Sequence, residues 1–172
     1  MRRIDVDELY RLYHGAKQGS VRWEGLQIYR VPWEDEGLAA WRRGEPQPPS
    51  EESERSLAST RRAAEAGRLH LRVRGLRRPA TEYTRHEFEV AYPENAAAGE
   101  PTVVVDLDEH PEFDGIEDFV VFDHDSVMWY RYDADYHLLG YDHSDDPALV
   151  ADRAALLERM LAVAMPFTEV VL

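Results

Sequence analysis

Cysteine is absent from the 172 residues, which excludes a disulfide framework and any thiolate metal site. That absence fits a reducing cytoplasm, the compartment expected for this chain. Lysine is nearly absent as well: Lys17 is the only one among 20 cationic residues, a bias that reads as genomic base composition. No stretch approaches the ~18 continuous apolar residues of a membrane span. MRRIDVDELY lacks the apolar segment of a signal peptide, so no membrane partner is expected. Basic charge is scarce in the C-terminal part. Residues 1–100 carry 17 acidic and 17 basic side chains, whereas 101–172 carry 17 acidic and only 3 basic ones, Arg131, Arg153 and Arg159. The whole formal charge of −14 therefore sits in the C-terminal part, where it disfavours nucleic acid and favours cations or basic partners.

Catalytic fingerprints are also missing. There is no GxxxxGK[ST], no GxGxxG and no GxSxG. His86-Glu87-Phe88-Glu89-Val90 begins like a zincin helix, but Val90 stands where the second histidine is required. Asp106-x-Asp108-x-His110 fails as a calcium loop, because His110 offers nitrogen and Pro111 replaces the turn glycine. No metal and no cofactor is expected.

What is present, 44% hydrophobic and 31% charged residues, describes a folded globular chain. Asp5 to Glu8 forms a capping-box-like start, and Val6, Leu9, Tyr10 and Tyr13 then recur at helical spacing. VRWEGLQIYRV (21–31) reads as a strand and 34–43 as a short helix. GEPQPPS (44–50) is a loop rather than a domain boundary. Ser50 caps a helix over 51–66, and RLHLRVRGL (68–76) alternates strictly, with Arg72 and Arg74 on its polar side. A helix opens at Thr81 and is terminated by Pro93, followed by a loop and the strand 102–107. Strands 119–123, 127–133 and 137–142, joined by three-residue turns, make an antiparallel meander. Asp146-Pro147 starts a long final helix that Pro166 ends. The expected fold is one α+β domain over 1–172. It has a mostly antiparallel sheet of about five to six strands, helices on one face and a long C-terminal helix.

The run FDHDSVMWYRYDADYHLLGYDH (122–143) concentrates aspartate and histidine, which suggests a divalent-ion site. Strand parity argues against it. His124 and Asp125 fall in one turn and Asp133 and Asp135 in the next, roughly 20 Å away along a seven-residue strand. The aromatics Trp129, Tyr130, Tyr132, Tyr136 and Tyr141 read as packing partners on adjacent strands. The Arg face of 68–74 reads as a basic strand set against acidic neighbours such as Asp133 or Asp106. Tyr83 with Glu87 and Arg85 with Glu89 are i,i+4 pairs, which usually lie on a helix surface.

Four motifs carry a family resemblance: R-V-R (Arg72, Val73, Arg74), Y-x-R-x-E (Tyr83, Arg85, Glu87), A-G-E (Ala98, Gly99, Glu100) and F-x-x-F-D (Phe119, Phe122, Asp123). Over nearly the whole chain from about residue 20, the sequence resembles an actinobacterial domain-of-unknown-function family. Members of that family are cytoplasmic, of about this length and often encoded beside helix-turn-helix regulators. The resemblance implies a regulatory partner by association. It also singles out polar groups on one strand, the next helix and the loop closing it, elements that are usually adjacent in space. Arg72, Arg74, Tyr83, Arg85, Glu87 and Glu100, with Asp123, are therefore the candidate ligand-binding set. The alternative for the same residues is a structural salt-bridge network.

The function expected first is non-enzymatic. The acidic C-terminal half docks on a basic protein partner such as a helix-turn-helix regulator, with no direct nucleic-acid binding. The alternative is a sensor or enzyme that binds a small anion or nucleotide in the cleft around residues 72–100. A third is an acidic mimic of DNA.

Overall fold

The computed structural model describes residues 1–48 and 50–172; of the loop 44–50, Pro49 lies outside them. Its strands are β1 (Arg2–Ile4), β2 (Gly19–Glu24), β3 (Leu69–Leu76) and β4 (Thr102–Asp106). They are followed by β5 (Phe119–Phe122), β6 (Ser126–Tyr132), β7 (Leu138–Ser144) and β8 (Met165–Pro166). All eight join one sheet in the order β1-β7-β6-β5-β2-β3-β4-β8. The expected meander is β5-β6-β7, and most pairings are antiparallel. Two pairings are parallel, β2 with β3 and β3 with β4, each needing a helical crossover.

The strand count of five to six is corrected to eight among the described residues. The two additions are the sheet edges β1 and β8, three and two residues long, too short to show alternation. Pro166 sits in β8, at an edge, where a missing N–H is tolerated. The strand expected over 21–31 stops at Glu24.

Helices α1 (Val6–Gly15), α2 (Asp35–Arg42), α3 (Glu51–Glu65), α4 (Glu82–His86), α5 (Tyr92–Ala98) and α6 (Pro147–Leu161) complete the fold. Four start on local caps: Asp5 accepts from Glu8 N–H, Ser50 from Ser53, Thr81 from Thr84, and Asp146 from Ala148 and Leu149. Pro93 does not end the second crossover. A π-helical turn over Glu87–Ala91, in which Tyr92 N–H donates to Glu87 C=O, joins α4 to α5, and Pro93 occupies the first turn of α5. The expected long C-terminal helix is corrected too: α6 stops at Leu161, and the chain continues through β8 and a 3-10 turn over Phe167–Glu169.

Helices cover both faces of the sheet, not one. Val150, Leu157 and Met160 of α6 bury Trp23, Val73, Val121, Val127 and Trp129 on one face. On the other, Leu9 of α1 meets Val120, Phe122 and Met128, while Phe88 and Tyr92 cover Leu76 and Val104. Between these two patches the central strands β2 and β3 present arginine and glutamate instead of aliphatic residues.

Candidate functional site

Parallel pairing of β2 and β3 sets Arg22 beside Arg72 and Glu24 beside Arg74. A lone strip of guanidinium groups would be costly to bury. Carboxylates from the second crossover answer them: Glu87 from the π-helical turn, and Glu100 just beyond Gly99, whose left-handed φ of 102° ends α5. Arg22 Nη2 donates to Glu100 Oε1 at 2.7 Å, and Arg72 bridges Glu24 and Glu100 at 3.4 and 3.5 Å. Arg74, wholly buried, lies 3.1 Å from Glu87 and donates to the Glu24 carbonyl at 3.2 Å and to the Leu26 carbonyl. The guanidinium of Arg72 also lies over the Tyr92 ring and that of Arg74 over Tyr29. Three arginines and three glutamates thus interleave in one buried layer. Compensation is incomplete, since Nε of each arginine lacks an aligned hydrogen bond; Arg22 Nε approaches Glu24 at 3.2 Å without one.

The three carboxylates respond differently. Burial pushes Glu24 up, but Arg22, Arg72 and Arg74 outweigh it and hold the group below its ordinary value. Glu100 behaves likewise between Arg72 and Arg22. Glu87 has mainly Arg74 to offset burial and is pushed up to about 7. Beside this layer Asp118 accepts from Tyr29 and Tyr132 hydroxyls at 2.7 and 3.3 Å and from Gly25 N–H at 2.8 Å. Its burial nevertheless raises it to about 6. Burial also raises Glu34, which accepts from the Tyr83 hydroxyl at 2.7 Å.

Of the residues singled out in the sequence, Arg72, Arg74, Glu87 and Glu100 converge. Tyr83 stands beside them but is bonded to Glu34, so its expected surface pairing with Glu87 does not occur. Arg85 is exposed and makes no ion pair among the described residues, and Glu89 accepts from Trp41 Nε1 instead. Asp123 belongs elsewhere: its carboxylate gathers the N–H groups of Lys17, Gln18 and Gly19 at 2.7, 2.8 and 3.0 Å. The acidic neighbours expected for the arginine strand, Asp133 and Asp106, are replaced by Glu24 and Glu100; Asp106 pairs with Arg78.

Arg22 and Glu24 were missed. Their signal was the alternation Val21-Arg22-Trp23-Glu24, which places two charges on the face opposite Trp23. A neighbouring cleft of about 160 Å³ is lined by Tyr29, Glu34 and Tyr83 but by none of the three arginines. Among the described residues no group of three or more His, Asp or Glu is placed to hold a metal ion. Among the described residues no helix is long and apolar enough to cross a membrane.

Comparison with curated proteins finds no match. A family profile described as a domain of unknown function, DUF6879, spans residues 7–171, so the buried layer and every strand of the sheet except the edge strand β1 lie within the match. The chain belongs to the DUF6879 family.

Proposed function

We propose that the chain is a non-enzymatic regulatory or interaction protein that docks a basic protein partner on its acidic surface. The supporting observation is how its cations are used. Arg22, Arg72 and Arg74, the groups best placed to hold an anionic ligand, are taken by Glu24, Glu87 and Glu100 inside the fold. In the acidic part of the chain, Arg131 is held by Glu117 and Asp142, while Arg153 and Arg159 lie over the rings of Phe119 and Phe113. Exposed Glu109, Asp125, Asp135, Asp145 and Glu158 make no ion pair among the described residues. Such a surface steers a cationic partner at a rate that salt suppresses.

The resemblance makes a helix-turn-helix regulator encoded nearby the partner to try first. Pull-down of that regulator by the tagged chain is expected at low salt and lost at high salt. Absence of capture at low salt overturns the reading.

A further inference from the structure

We propose that the groove between the Pro32 turn and the β6–β7 turn is the docking site for a basic, partly apolar protein segment. This rests on the interaction reading above and gives it a location. The two turns are fastened together: Arg30 N–H donates to the Tyr136 carbonyl at 3.1 Å, and Arg30 bridges to His137. Between them lies a groove of about 320 Å³ lined by Arg30, Pro32, Asp35, Asp135 and His137.

Two large exposed rings stand on the turns that carry the lining residues, without lining the groove themselves. Trp33, 51% exposed, sits in sequence between the lining residues Pro32 and Asp35; Tyr136, 41% exposed, sits between Asp135 and His137. Tryptophan and tyrosine are enriched among the side chains that dominate binding energy between proteins.

The β6–β7 turn fixes the backbone that carries the Tyr136 ring. Tyr136 has a left-handed φ of 68°, which is costly for a bulky side chain. The Asp133 carboxylate fixes that conformation by accepting from the N–H groups of Asp135 and His137, both at 2.9 Å. Little backbone freedom remains to be lost there when a partner packs on the ring.

Charge selects the partner. Asp35 and Asp135 face the groove against one permanent cation, Arg30, so phosphates are repelled and an arginine- or lysine-bearing segment is favoured. A second copy of this chain, itself at −14, is disfavoured for the same reason.

The test is fluorescence anisotropy of the full chain against three labelled probes: an arginine/leucine peptide, an arginine/serine peptide of equal charge, and single-stranded DNA. Binding of the arginine/leucine peptide is expected to be the tightest. Trp33→Ala and Tyr136→Gly are each expected to weaken it about tenfold or more, as for an anchor residue. Glu65→Gln on α3, exposed and away from the lining residues, is expected to change it less than about threefold, as for a residue outside the contact. Tyr136→Gly removes the ring while relieving the backbone strain, so an unchanged or raised melting temperature shows that lost binding is not lost folding. If the wild-type chain binds neither peptide at low salt, the interaction reading falls together with the site. If it binds both peptides equally and the groove variants match wild type, acidic docking stands and this groove is the wrong place. Tight binding of the DNA overturns the assignment of partner.

Discussion

Replacing Glu87 by glutamine is expected to do little at pH 5 and to stabilise the protein at pH 8. A simple salt-bridge argument would give the opposite result. Glu87 is buried with Arg74 as its main cationic neighbour, and burial lifts it to about 7 against an ordinary 4.5. A carboxyl raised in the folded state keeps its proton there while the unfolded chain releases it. Stability from this group is therefore full below pH 4.5, falls as pH rises through 7 and is level above that. The gap corresponds to about 3 kcal/mol, at roughly 1.4 kcal/mol per pH unit. Glutamine has the shape of the protonated acid and still offers Arg74 an oxygen, but it does not titrate. Asp118, raised to about 6 by burial, adds a slope of the same sign and is common to both proteins, so it cancels in the difference. Urea unfolding of both proteins from pH 4.5 to 8 measures the effect as a difference that changes by about 3 kcal/mol in favour of the variant. Parallel stability curves, or a variant that loses ground as pH rises, would refute the reasoning.

Arg72→Met leaves Glu24 and Glu100 buried with fewer cations and is expected to cost about 3–5 kcal/mol by urea unfolding. Adding Glu100→Leu should return part of that loss, and strictly additive losses would show that the pair is not coupled. Asp123→Ala abandons three N–H groups at the entrance to β2 and should cost about 1–3 kcal/mol. Because those bonds hold Asp123 below its ordinary 3.8 despite its partial burial, the wild-type advantage over this variant should fade as pH drops below 4. Gly99→Ala meets both a left-handed backbone and the Ala64 Cβ at 2.5 Å, so a drop of about 2 kcal/mol or more is expected in thermal melts.

The local features of this fold are written in the sequence. Asp5, Ser50, Thr81 and Asp146 each accept from the N–H groups that a helix start leaves open. Alternation marked β3, and the short turns after β5 and β6 dictated an antiparallel meander. The edge strands β1 and β8 carry too few residues for a periodic signal. The π-helical turn was hidden behind Pro93, since a proline that ends one helix and a proline that opens the next look alike in sequence.

Site residues divide the same way. Arg72, Arg74, Glu87 and Glu100 lie within about one crossover of each other, and that nearness was enough to expect them together. Arg22 and Glu24 come from a strand some fifty residues earlier, and only the parallel register of β2 on β3 brings them to the same layer. Composition and charge distribution alone determined that the chain is acidic, lacks thiol chemistry and carries its excess carboxylates in the C-terminal part. Tertiary structure decided which charges are spent inside. A strand's alternation says which side chains share a face, but which strand lies alongside and which helix lies above depend on contacts between distant parts of the chain.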